Sequence, residues 1–313
     1  MISAFFSGFN FVVLAYPTSI VFALLTAVFL FWRAGRHEFI DSQELFDISL
    51  AALAGAFLFG RLFEFISNAD RFEWSIGHLV FVNAYGGLDF YGVLVGIFVF
   101  VWLFFKRKIN KTFKLLDLMA APLVFAQAIV TVSYFALPTL EAKEISLSVL
   151  KFMGAKYPLG LIYLLGYLFI FIILKRLEAK KRHIGFFTSF YVVAISILDL
   201  IVYPLRDDNS KIGLLPYHLV MPMAFLGIGI IAWHIMAKRR LRDDLKSFLA
   251  FALLAFFTIK RSIKDINEAG MLSRTIVLAP YFLVRSIFRL LLLLARELRR
   301  SIIELLMVLG IKK

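Results

Sequence analysis

The stretch GGLDFYGVLVGIFVFVWLFFKRK, residues 86–108, decides the fold class. It carries no charge between Asp89 and Lys106, and a helix that crosses a bilayer needs about 20 mostly apolar residues. The run stops on Lys106, Arg107 and Lys108, the kind of basic flank that stays on the cytoplasmic side of a membrane. We therefore read 87–105 as a span that enters from outside and ends inside.

The same reading extends in both directions. Upstream, 10–32 is apolar and is followed at once by Arg33 and Arg36, and 48–66 leads to an outer segment carrying Trp74, His78 and Tyr85, aromatics that suit a lipid interface. Downstream, 114–137 is a span, and 157–174 is another, stopped by Lys175, Arg176, Lys180, Lys181 and Arg182. Two more follow, at 185–205 and at 216–237 ahead of Lys238, Arg239, Arg240 and Arg242. Every second loop is basic, so the positive-inside rule fits one registration of about seven helices. It puts the amino terminus outside and the carboxy terminus in the cytoplasm.

Composition agrees with an all-α polytopic membrane protein. Hydrophobic residues make up 61% of the chain and charged residues 18%, with 36 Phe, and no soluble core could hide that much apolar surface. There is no cysteine, which excludes disulfides, thiolate metal sites and a cysteine nucleophile of the chain's own. Any thiol chemistry must use a substrate thiol. The net charge of +14 is assigned to loop residues that fix topology and meet anionic lipid heads, rather than to nucleic-acid binding. The uncharged start lacks the basic region of a cleavable signal peptide.

The pattern changes near residue 241, so 1–240 is expected to be a transmembrane domain and 241–313 a basic amphipathic helical tail. Segment 247–259 is too short to span comfortably, and Arg274, Arg285, Arg289, Arg296, Arg299 and Arg300 interrupt the apolar runs. Such spacing reads as helices lying in the inner-leaflet interface against anionic lipid, although 290–294 could belong to a short eighth span.

Ionisable groups at membrane depth are costly and mark candidate functional positions. Arg61 and Glu64, three apart, share a face of the second span and could neutralise each other, either as a packing ion pair or around a lipid headgroup. Gly86, Gly87, Gly92 and Gly96 surround Asp89, Phe90 and Tyr91; these glycines permit close helix packing or an unwound end that offers N–H groups to a phosphate. Asp199 needs a partner, and Arg206 follows about two turns later on the same face. Gln127, Thr131, Ser133 and Tyr134 put polar groups in the fourth span, where interhelical hydrogen bonding is at least as good an account as catalysis. His218 sits beside Tyr217, and His37 and His183 lie in solvated basic loops. No metal-ligand spacing, phosphate loop or nucleophile elbow is present in the sequence, and no cofactor is expected. The residues alone leave a lipid-processing enzyme, a transporter and a scaffold open. A transporter with paired broken helices in two related halves is the weakest of these, because no internal repeat is visible.

The order of landmarks resembles the bacterial prolipoprotein diacylglyceryl transferase family. The resemblance runs over residues 10–237 and rests on Ala15-Tyr16-Pro17, Gly60-Arg61-Leu62-Phe63, and above all Gly86-Gly87-Leu88-Asp89-Phe90-Tyr91-Gly92-Val93-Leu94-Val95-Gly96. It continues through Asp117-Leu118-Met119-Ala120-Ala121-Pro122, Tyr157-Pro158, Leu205-Arg206-Asp207-Asp208 and Met221-Pro222. It implies a multi-pass inner-membrane enzyme that moves the diacylglyceryl group of phosphatidylglycerol onto the lipobox cysteine of a prolipoprotein, forming a thioether and releasing glycerol phosphate.

On that resemblance Tyr91 and Arg206 are expected catalytic groups, and Asp199 is added to them, with His218 beside it, as a buried charge that needs an explanation. Arg61, Glu64, Gly86, Gly87, Gly92 and His218 are the expected lipid contacts. The chain departs from the family pattern at Thr131-Val132-Ser133-Tyr134-Phe135, where the family carries arginine-x-glycine-asparagine-phenylalanine. It departs again at Asp199-Leu200-Ile201-Val202-Tyr203, which lacks the family's arginine and glutamate, at Tyr157 in place of a histidine, and at His218 in place of a glutamine. The alternative is therefore a catalytically silent member that binds anionic lipid or a lipoprotein signal segment.

Overall fold

In the computed structural model the described residues are 11–68, 87–133, 142–144, 156–179, 182–207, 211–212 and 215–238, together with 246, 250, 253, 292, 296, 299, 300 and 303. Gly86, Trp74, His78, Tyr85, Tyr134, Asp208 and most of the tail lie outside them. Among the described residues up to 238, seven helices follow one another: α1 (Phe11–His37), α2 (Ser42–Ser67), α3 (Phe90–Phe104), α4 (Ile109–Ser133), α5 (Leu159–Glu178), α6 (Phe186–Val202) and α7 (Tyr217–Ala237). A 3-10 turn, Tyr203–Leu205, ends α6, and a two-residue hairpin of β1 (Lys211–Ile212) and β2 (Leu215–Pro216) precedes α7, with Lys211 paired to Pro216.

Six of these helices are long and apolar enough to cross a bilayer; α3, with 15 residues, is shorter. At 1.5 Å per residue α3 covers only about 22 Å of a hydrocarbon core roughly 30 Å thick. The extended lead-in 87–89 adds about 10 Å. That lead-in is satisfied within the protein, since Asp89 N–H donates to the Gly60 carbonyl of α2 at 3.0 Å. Non-helical backbone at membrane depth is tolerated only where protein or a cavity covers it. The molecule is a multi-pass all-α membrane protein. Side chains such as Leu25 and Ile235, each 64% exposed, form its lipid-facing surface.

The helices begin earlier than the apolar runs. α2 starts at Ser42 rather than near 48, because Asp41 accepts from the Gln43 N–H and caps it, and α4 starts at Ile109 rather than after Lys114. The added turns are polar and need no membrane to be helical, so hydropathy alone misplaces their start.

α2 packs most extensively against α3, α1 against α4, and α6 against α7, while α4 also touches α5 and α6. The α2–α3 contact is set by glycine. A Cβ on Gly96 would overlap the Gly55 carbonyl oxygen, and one on Gly92 would come within 2.5 Å of the Phe59 carbonyl oxygen. Small residues here let two backbones touch. A core of Phe31, Leu45, Ile48, Ile97, Val101 and Met119 joins α1, α2, α3 and α4. On the other side Asp117 of α4 caps α6, its two oxygens accepting from Gly185 N (2.7 Å), Thr188 N (2.8 Å) and Thr188 Oγ1 (2.7 Å). Gly185 sits at φ +82°, a left-handed conformation that favours glycine.

By its contacts the chain divides into two compact units, Met1–Lys238 and Arg239–Lys313. In the second unit the described residues Lys246, Ala250, Leu253, Leu292, Arg296, Arg299, Arg300 and Ile303 are helical.

Candidate functional site

The polar interior gathers where α3 begins, α6 ends and α7 begins. Tyr91, in the first turn of α3 and 3% exposed, donates its hydroxyl hydrogen to Asp199 Oδ2 of α6 at 2.5 Å. Tyr163 of α5, itself buried, lies beside the same carboxylate and stacks on Tyr167, ring centroids 5.8 Å apart. Arg206, just past the 3-10 turn, donates from Nη1 to the Tyr163 hydroxyl at 3.5 Å, and its Nη2 lies 3.1 Å from His218 Nε2 of α7. It is also close enough to Asp199 to feel its charge. The result is one continuous set: Tyr91, Asp199, Tyr163, Arg206 and His218.

Backbone pairing holds Arg206 in place. Ala142 bridges to Arg206, the Lys143 N–H donates to the Leu205 carbonyl at 3.0 Å, and Lys143 Nζ donates to the Pro204 carbonyl at 3.1 Å. The 142–144 segment thus straps the turn that carries the guanidinium. Such fixation presents a cation at a defined point, which is what a site for developing negative charge requires.

The other expected positions divide. Arg61 is 2% exposed and donates from Nη1 to the Gly87 carbonyl at 3.0 Å, locking α2 to the lead-in of α3. Glu64 accepts from Asn68 Nδ2 at 3.1 Å and lies within electrostatic range of Arg61. The Gly92 N–H, expected to be open to a phosphate, is taken by Asp89 Oδ1 at 2.8 Å in the N-cap of α3. Gly92 and Gly96 serve the α2–α3 contact. Thr131, where the family pattern has arginine, is 3% exposed and bonds its hydroxyl to the Ala128 carbonyl of its own helix at 2.7 Å. Gly86 lies outside the described residues.

One member, Tyr163, and its stacking neighbour Tyr167 were not read from the sequence. Tyr163 and Tyr167 are an i, i+4 pair on the inner face of α5, and that spacing was the available signal. Asp89, the N-cap of α3, is in reach of Tyr217 and His218.

Residues 3–236 match the sequence model of the family described as prolipoprotein diacylglyceryl transferase. The chain belongs to that family. The phosphatidylglycerol–prolipoprotein diacylglyceryl transferase of Finegoldia magna is 25% identical over 248 residues, covering 77% of this chain and 98% of its own. The protein of the same name from a Streptococcus pneumoniae strain is 25% identical over 232 residues, 69% of this chain and 87% of its own. The match to the prolipoprotein diacylglyceryl transferase family model ends at residue 236, close to the boundary between the two units, and so covers the helical bundle.

Proposed function

We propose that this family member transfers the diacylglyceryl group of phosphatidylglycerol to the cysteine thiol of a prolipoprotein lipobox. The observation that carries the reading is the Tyr91–Asp199 hydrogen bond set beside a strapped Arg206. The thiol proton passes to the Tyr91–Asp199 pair. The sulfur attacks the glyceryl carbon next to the phosphate oxygen, the C–S bond forms, and the C–O bond breaks. Glycerol phosphate leaves with the bonding electrons, and Arg206, steadied by Tyr163 and His218, meets its charge. Arg61, Glu64 and Gly87 shape the adjoining wall of the headgroup site. The chain's lack of cysteine is consistent with a nucleophile that belongs to the substrate.

We place this site at the outer side of the membrane, because the basic stretches 106–108, 175–182 and 238–242 flank the opposite ends of the helices. That puts the amino terminus outside and the carboxy terminus in the cytoplasm of the producing bacterium. The basic tail is read as meeting anionic lipid heads rather than nucleic acid.

A second reading, lipid or signal-segment binding without turnover, is favoured by one observation: Thr131 supplies no cation, and its hydroxyl is committed to its own helix. Transfer of labelled diacylglyceryl from phosphatidylglycerol to a lipobox peptide by the purified protein separates the two. Thioether product that falls with Arg206→Ala supports transfer. Absence of product, alongside measured phosphatidylglycerol binding and an active control enzyme, supports the silent reading.

A further inference from the structure

Arg206 and His218 meet end to end, and the contact fixes the state of the imidazole. A guanidinium has only N–H donors and no acceptor, so the 3.1 Å approach of Arg206 Nη2 to His218 Nε2 is a bond in which the arginine donates. His218 is therefore neutral here, with its hydrogen on Nδ1 and the lone pair of Nε2 turned to the cation. The ring is held edge-on against Tyr217, centroids 5.1 Å apart and planes at 86°. Two carboxylates lie within electrostatic reach of it, Asp89 at the N-cap of α3 and Asp199 of α6. The hydroxyl of Tyr163 lies between Asp199 and Arg206.

The charge balance of the proposed transfer gives this arrangement a task. A phosphodiester carries a single negative charge, and the phosphate monoester released when its C–O bond breaks carries about 1.5 to 2 at neutral pH. Among the five side chains of the polar set, the guanidinium of Arg206 is the one fixed cation, and an ionised Asp199 offsets part of its charge. A leaving dianion is poorly met by such a set. A proton delivered to the phosphate removes half of the charge that Arg206 must meet. His218 stands where that proton can be handed over. A phosphate oxygen that draws the Arg206 Nη2 hydrogen to itself takes it from Nε2, and the freed lone pair then lies beside the phosphate.

We infer that His218 is a catalytic residue that protonates the departing glycerol phosphate. The role rests on the transfer reading of this site. The thiol proton, taken up by the Tyr91–Asp199 pair, crosses by way of the Tyr163 hydroxyl to the freed Nε2 and from there to a phosphate oxygen. The C–S bond forms, the C–O bond breaks with its electron pair going to oxygen, and glycerol phosphate leaves as the monoanion. No proton is gained or lost overall, and His218 returns to its neutral form. While the imidazole holds the proton, Asp89 and Asp199 offset its charge beside Arg206. Histidine suits the step because it gains and loses a proton near neutral pH, and proton transfer by a placed side chain contributes about 10²–10⁴ in rate.

Two measurements test the role, one with turnover and one without. His218→Gln keeps an acceptor for Arg206 and carries no proton. In transfer from phosphatidylglycerol it should lower kcat about a hundredfold while KM changes less than about twofold. With diacylglycerol sulfate as donor the leaving group is sulfate, which takes up no proton at neutral pH, and the same substitution should lower kcat less than about threefold. An equal loss with both donors would mean that His218 only holds Arg206, and overturns the proposal. The second measurement is phosphorus NMR of glycerol phosphate bound to the full chain in detergent at neutral pH. Its resonance should lie toward the monoanion position on the unaltered protein and at the dianion position on His218→Gln. Identical resonances on the two proteins overturn the proposal, as does a protein that binds no glycerol phosphate. A protein that forms no thioether yet shows the shifted resonance refutes the transfer and keeps His218 as the proton donor to the phosphate.

Discussion

Arg61 and Arg206 are both arginines within the bundle, and their surroundings give them different work. Arg61 is enclosed between α2 and the lead-in of α3, and it donates to a backbone carbonyl that would otherwise face the interior unmet. Arg206 sits on a turn that a second segment straps from outside, between a tyrosine hydroxyl and an imidazole, at the edge of a polar set drawn from several helices. A guanidinium spent on the protein's own backbone holds helices together. One set on a strapped turn beside Tyr163, His218 and Asp199 is the one the proposed transfer calls on.

The sharpest way to break this contrast is Arg206→Ala. It should lower transfer kcat/KM about a hundredfold, the scale of a lost charge-stabilising donor, with the melting temperature little changed. A similar loss of stability and activity together would place Arg206 with Arg61 instead. Asp199→Asn keeps the size of the side chain but removes the proton acceptor, and should cost about thirtyfold in kcat with KM for phosphatidylglycerol nearly constant. Rescue by an added external base would sharpen that assignment.

Arg61→Met is the converse. It should destabilise the bundle by about 2 kcal/mol, seen as a lower melting temperature in detergent, because it leaves the Gly87 carbonyl without its charged donor. Activity per folded molecule should fall less than in Arg206→Ala. Asp117→Ala is expected to cost a comparable amount of stability, about 2–3 kcal/mol, by uncapping α6. The smallest effect belongs to Thr131→Val. Its hydroxyl serves only its own helix turn, so transfer should change less than twofold. A large loss there would mean that Thr131 faces the substrate.

Much of the bundle was legible in advance, and the reasons are local. The apolar runs, the alternating basic loops and the Gly86-to-Gly96 stretch each announce themselves within a single segment. The glycine stretch also shows where one-dimensional reading stops. Its spacing is compatible with a phosphate nest and with a helix–helix contact, and only the position of Gly55 and Phe59 on α2 decides for the contact. Tyr163 and Tyr167 were missed because tyrosines in an apolar helix look like ordinary interior aromatics until Asp199 and Arg206 are seen beside them.

The sequence by itself determined the class, the spans and their alternation, because a backbone in hydrocarbon must bond to itself and so writes long apolar helices and basic stops directly into the chain. Only the tertiary structure decided that Tyr91 meets Asp199 across 108 residues and that Asp117 caps a helix on another element. Those outcomes depend on how far each helix is rotated and at what depth it crosses its neighbours. Helix rotation and crossing depth are set by packing between segments, and no single segment encodes them.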